Sequence, residues 1–193
     1  MIAFVRGHFA IKNPANVVVD VNGVGYDVQI SLNTYSAISE KESGQLFTYL
    51  HITENGQTLY GFADVREKEL FLQLISVSGV GAATARVMLS GMKPDEIVKA
   101  IVQGNAQLLT SIKGIGKKTA ELLVVSLRDK FSKEVIETGL IGTTAILPHH
   151  DAIDALVALG IAKPVAEKAV QKVIQVNSDI ALEQIIKLAL KNL

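Results

Sequence analysis

The sequence contains no cysteine. That one absence removes disulfides, thiolate zinc sites, iron–sulfur clusters and a cysteine nucleophile, and it suits a reducing compartment. Tryptophan is also missing, and aromatics make up 5% of the 193 residues against 49% apolar residues, the composition of a soluble globular chain. Long apolar runs are lacking too. Stretches such as residues 122–125 and 156–162 fall far short of the roughly 20 that a spanning helix needs. Arg6, His8 and Lys12 break up the N-terminal apolar residues, so no signal-peptide core is expected. The expected compartment is the cytoplasm, with no membrane partner.

Net charge is absent as well, with 19 basic residues balancing 19 acidic ones. The balance hides an uneven distribution: residues 1–63 carry −2, residues 64–132 carry +3 and residues 133–193 carry −1. A nucleic-acid partner would therefore meet the middle segment.

What is present divides the chain into four parts. Residues 4–9, 17–21, 25–30, 45–52 and 58–62 alternate or are β-branched, which reads as five strands. Asn55-Gly56 marks a hairpin between the last two, and Gly23 and Gly25 punctuate another turn. Five short strands in about 60 residues fit a small OB-type barrel better than a sandwich of about 100. At Asp64 the period changes. Asp64 and Glu67 have capping-box spacing, Leu70, Phe71, Leu74 and Ile75 share a helical face, and Pro94 suits a first helical turn. Residues 64–132 thus read as all-helical. Residues 133–150 lack sustained periodicity and read as a flexible linker. Residues 151–193 recover three short helices on a very small core, a module suited to docking. The expected class is α+β and multidomain: a barrel at 1–63, a helical domain at 64–132, a linker at 133–150 and a three-helix domain at 151–193.

The most informative feature is a repeat. Val77-Ser78-Gly79-Val80-Gly81-Ala82-Ala83-Thr84-Ala85 recurs 35 residues later as Ile112-Lys113-Gly114-Ile115-Gly116-Lys117-Lys118-Thr119-Ala120. Each copy joins two helical segments through Gly-x-Gly, so the chain turns tightly and leaves N–H groups unobstructed where the next helix starts. Such a terminus holds an anion through donors and dipole without touching a base edge. The predicted phosphate-binding residues are Gly79, Val80, Gly81 and Ala82 in the first copy, and Lys113, Gly114, Ile115, Gly116, Lys117 and Lys118 in the second. One such turn alone is more often a helix-packing device; two within the net-basic segment favour a nucleic-acid backbone.

Catalytic chemistry is poorly represented. Gly116-Lys117-Lys118-Thr119 resembles the end of a Walker A motif, but Ser111 stands at the early glycine position and Lys118 at the hydroxyl position, so no ATP site is expected. His8, His51, His149 and His150 lack metal-ligand spacing. Glu40 and Glu42 flank Lys41 in a polar loop and read as a solvated face. Asp129 occupies a region where helix-hairpin-helix glycosylases can carry an acid, but Arg128 and Lys130 make a surface ion pair the better reading. No metal, cofactor or catalytic residue is expected. The rival reading from another class is a helix-hairpin-helix glycosylase or nuclease. A single-strand binder ranks last, because the strand domain has only Arg6, Lys12 and Lys41 as basic side chains.

The strand domain, Leu59-Tyr60-Gly61-Phe62, the two glycine hairpins, Leu89-Ser90-Gly91-Met92, the linker and Leu156-Val157-Ala158-Leu159-Gly160 together resemble the RuvA family over essentially the whole chain. The resemblance implies a non-enzymatic subunit that binds four-way (Holliday) DNA junctions without sequence specificity, in homologous recombination and DNA repair. It implies a homotetramer, one or two per junction, with barrels packed centrally and hairpins gripping the arms. It implies that the C-terminal three-helix (UBA-like) module, through Leu156, Leu159 and Gly160, recruits RuvB, the hexameric ATPase that drives branch migration, and that RuvC resolves the junction. Family members often carry two adjacent acids as a pin at the crossover; here Glu54 remains and Asn55 replaces the second. Ala83 stands where a lysine is often found, which would leave first-hairpin contacts to backbone donors and to Arg86.

Overall fold

The computed structural model describes residues 1–54, 56–138, 148–176 and 181–191. They form two compact units, residues 1–135 and 136–193, each considered by itself.

The first unit opens with a closed five-stranded barrel: β1 (Phe4–Asn13), β2 (Asn16–Val21), β3 (Val24–Ile30), β4 (Ser43–Thr53) and β5 (Gly56–Phe62). Spatial order is β1-β2-β3-β5-β4. β3 and β5 run parallel, and β1 meets β4 to close the ring. This is the OB-type architecture expected from strand number and length. Val5, Phe9, Val17, Val19, Val28, Ile30 and Leu46 alternate inward and are buried. The β2–β3 turn is made by Asn22 and Gly23, both at positive φ (53° and 88°), so the Asn-Gly pair there makes the hairpin rather than the Gly23/Gly25 spacing. At the β4–β5 hairpin Thr53 pairs with Gly56, and Asn55 lies outside the described residues.

Between β3 and β4 the chain forms α1 (Leu32–Ile38), a helix the periodicity does not reveal. Ser31 caps it by accepting from the Thr34 N–H at 3.0 Å, and Ile38 drops into the barrel core.

Five helices follow: α2 (Val65–Ile75), α3 (Ala82–Gly91), α4 (Pro94–Val102), α5 (Ala106–Thr110) and α6 (Lys117–Thr138). Asp64 caps α2 through the Glu67 N–H at 2.8 Å. The other half of the anticipated capping box is not made. The Glu67 carboxylate is 2% exposed and instead accepts the hydroxyls of Ser31 and Thr34. Phe71 of α2 packs on Tyr49, Tyr60 and Phe62 at ring separations of 5.7, 5.1 and 4.9 Å, so one apolar core runs from the barrel into the helices. α6 continues through Thr138, past Ser132, so the first residues of the segment expected to be a linker are helical. Residues 139–147 lie outside the described residues.

The second unit contains α7 (Pro148–Ala158), α8 (Lys163–Val176) and α9 (Leu182–Lys191) around a core of Ala152, Leu156, Ala166, Val170 and Ile185. α7 begins at Pro148 rather than Asp151, with the proline in the first turn, where its missing N–H costs nothing. Residues 177–180 lie outside the described residues.

Glu67 gives the fold a pH signature. Burial, the dominant influence, pushes its carboxyl above the ordinary range; the Ser31 and Thr34 hydroxyls oppose this and Asp64 adds to it. The folded chain therefore holds this proton to higher pH than the unfolded chain does. The stabilising contribution is complete below the ordinary glutamate range, about pH 4, and is lost as pH rises toward the raised native value. In urea unfolding, the stability of the protein relative to its Glu67→Gln variant should fall across that window and then level. A difference that grows with pH would contradict this.

Candidate nucleic-acid interface

The two copies of the repeat adopt the same backbone. In the first, Gly79 takes φ +86°, a left-handed value that a side chain rarely tolerates, and the Val80 N–H donates to Val77 O at 3.0 Å. In the second, Gly114 takes φ +94° and the Ile115 N–H donates to Ile112 O at 3.1 Å. The Ala85 and Ala120 N–H groups then close the first helical turns onto Gly81 O and Gly116 O, each at 2.9 Å. The aliphatic residue between each pair of glycines is an anchor, Val80 and Ile115 both being 5% exposed.

This refines the predicted donor set. Val80 and Ile115 spend their N–H groups inside the turn and their side chains in the core, so neither faces a ligand directly. Ala82, 4% exposed, offers only its backbone. The free donors are the N–H groups that open α3 and α6, which have no intrahelical acceptor. Gly81 caps α3 in an extended conformation with no side-chain hydrogen bond to those groups. A Cβ placed on Gly81 or Gly116 would meet nothing within 4 Å. Internal packing therefore does not require glycine there. The open space over each helix terminus is where an approaching anion would sit.

Charge separates the two hairpins. Lys113, Lys117 and Lys118 are exposed around the second. Lys117, its side chain 86% exposed, stands 4.0 Å from Glu121, a solvated pair that leaves the ammonium available. Around the first, Ala82 and Ala83 carry no charge, and Arg86 is turned elsewhere. Its Nη1 donates to Ala15 O at 2.9 Å and to Gln29 Oε1 at 2.7 Å, both on the barrel. Barrel acceptors thus hold Nη1 of Arg86, the residue expected to assist phosphate contacts.

The remaining candidates separate in the same way. Glu54 is exposed in the β4–β5 turn, as a pin residue must be. In the second unit Leu159 is 65% exposed and Gly160, at φ +92°, ends α7: its N–H donates to Val157 O and that of Ile161 to Leu156 O. Leu156 is fully buried, so it would act on a partner only by supporting the exposed Val157, Leu159 and Gly160 from beneath.

Arg128 Nε donates to Val102 O at 3.1 Å, so that side chain braces the end of α4. Among the described residues no three His, Cys, Asp or Glu side chains gather as a metal group, and no helix is long and apolar enough to cross a membrane. Sequence reasoning missed the first turn of α1, whose Ser31, Asn33 and Thr34 bond to the first hairpin. Ser31 carried a capping signal, but the helix behind it is too short to show a period.

Known families match the same three segments. The model described as RuvA N terminal domain matches residues 1–61, the SAM-like helix-hairpin-helix tandem matches residues 71–129, and the RuvA C-terminal domain matches residues 147–193. Among curated proteins, the Holliday junction branch migration complex subunit RuvA of Bacteroides fragilis is 46% identical over 206 residues, covering 100% of both chains. The proteins of the same name from Cytophaga hutchinsonii and Flavobacterium psychrophilum are 43% and 44% identical, covering 99% and 100% of each chain. Barrel, paired glycine hairpins and terminal three-helix unit follow in the order of those relatives along their full length, and the chain belongs to the RuvA family.

Proposed function

We propose that this protein binds four-way DNA junctions through their phosphates, without reading sequence, and serves as the DNA-holding subunit of a branch migration complex. The observation that carries this is the pair of glycine-opened helix termini at Gly81 and Gly116, each with open space above it, in one compact unit with the barrel. Relatives similar over the whole length carry the name of a Holliday junction branch migration complex subunit, which supports the same role here.

The donors are the backbone N–H groups at Gly81 and Ala82 and at Gly116, Lys117 and Lys118, with Lys113 adding charge. Gly79 and Gly114 make the turns, and Val80 and Ile115 anchor them. Four copies of Glu54 around a tetramer axis would repel nearby phosphates at the crossover. A separate hexameric ATPase of the RuvB type would supply the motor and dock on the terminal unit at Leu159 and Gly160; a RuvC-type resolvase would act on the held junction. The departure from the Walker pattern at Ser111 and Lys118 supports that division of labour.

Incubating the pure protein with a synthetic four-way junction, magnesium and ATP tests the role. A slowly migrating complex with every strand intact and no phosphate release is expected. Strand or base cleavage would replace the scaffold with an enzyme.

A further inference from the structure

The first hairpin is tied to the barrel by polar contacts that leave the second alone. Ser31 and Thr34, at the start of α1, donate their hydroxyls to Glu67 of α2. Asn33 Nδ2 donates to Leu89 O and, at 3.0 Å, to Met92 O at the far end of α3, while the Leu32 N–H donates to Ser90 Oγ at 3.1 Å. Midway along α3, Arg86 reaches Ala15 O and Gln29 Oε1. α3 is thus held at two separate points along its length, and α2 at its first turn. Among the described residues, no hydrogen bond runs from the barrel to the second hairpin.

A rod held at one point can pivot; held at two, it has a fixed direction. We infer that Arg86 is a positioning residue which, with Gln29 as its barrel acceptor, sets the direction of the first hairpin and thereby selects junction geometry over plain duplex. The inference rests on the junction-binding reading. Its physical content is a separation of roles. A single duplex arm needs only correctly made donors, whereas a junction must meet donors and barrel at once, so an error in the angle of α3 penalises the junction alone. Arg86 sits on the DNA-binding domain and carries a full charge, yet its Nη1 is committed to two neutral barrel oxygens, which suits orientation rather than attraction.

The test is a double-mutant cycle on the full chain with Gln29→Ala, Arg86→Ala and the pair, measuring Kd for a four-way junction and for linear duplex across a salt series. Donor and acceptor dyes on adjacent arms report the arm angle, and urea unfolding of each variant checks the fold. Each single change should lower the junction-to-duplex preference about tenfold and broaden the arm-angle signal. The pair should do no more than either alone, and the salt slope should stay unchanged. Gln29→Ala leaves the arginine charge in place, so it separates positioning from phosphate contact even if Arg86→Ala folds poorly. The inference is overturned if Arg86→Ala weakens junction and duplex alike and lowers the salt slope by about one while Gln29→Ala is silent. It is also overturned if both changes are silent. If the unaltered protein shows no junction preference, the underlying reading fails and takes this one with it; a preference that survives both changes defeats this one alone.

Discussion

Gly116→Asp should leave the fold as stable as before, or more stable by a few tenths of a kcal/mol, and should reduce DNA affinity on the order of a hundredfold. Both effects arise at one place. The Cβ of the new side chain would meet nothing within 4 Å, and its carboxylate would accept the N–H groups that open α6, as a good N-cap does. Those are the donors assigned to phosphate. The variant would fill the anion site with its own anion and present a negative charge to the DNA backbone. Gly81→Asp should behave alike at the first hairpin. Gly114→Ala is the contrast: at φ +94° it should cost about 1–2 kcal/mol of stability through backbone strain, with DNA affinity falling only as far as the turn distorts. Thermal melts and binding isotherms on the three variants separate the two kinds of glycine. Loss of stability in Gly116→Asp, or unchanged binding, would contradict the assignment.

Replacing Lys117 and Lys118 with alanine should flatten the salt dependence. Each phosphate neutralised contributes about 0.9 to the slope of log K against log salt, so the pair should lower the slope by about 2 and weaken binding on the order of fifty-fold near 0.1 M salt. Every sequence should suffer equally, because no base edge is involved. Stability should change little, since both side chains are exposed and the Lys117–Glu121 pair is solvated. The first hairpin, whose turn residues Ser78 to Ala83 carry no charge, should contribute affinity that depends less on salt. Variants that bind like the unaltered protein at every salt concentration would remove the second hairpin from the interface.

How much of this was legible in the sequence depended on how local the physics was. The barrel strands show in alternation because each buries one face, and the hairpins show because the repeat encodes their backbone directly. α1 does not show: Leu32–Ile38 is too short for a helical period, and its buried Thr34 looks like any polar loop residue. Glu67 matched a local capping pattern but is claimed by Ser31 and Thr34, more than 30 positions away, which spacing along one helix cannot reveal. The barrel contacts of Arg86 are hidden for the same reason, since its partners Ala15 and Gln29 lie more than 50 positions away in sequence. Leu156 shares an apolar run with Leu159, and only the packing of α7 shows that the first is core and the second surface. α6 runs past Ser132 because helix continuation needs only backbone bonds and not an apolar face.

The central claim is that two glycine-opened helix termini beside a barrel make a binder of branched DNA. Competition among a synthetic four-way junction, linear duplex and single strand of matched sequence, at several salt concentrations and without nucleotide, tests it most directly. Strong preference for the junction, steep weakening of all binding with salt and no cleavage are expected. Equal affinity for junction and duplex would reduce the protein to a general backbone binder, and preference for single strand would move the site from the hairpins to the barrel; either result rules out junction binding through the hairpins.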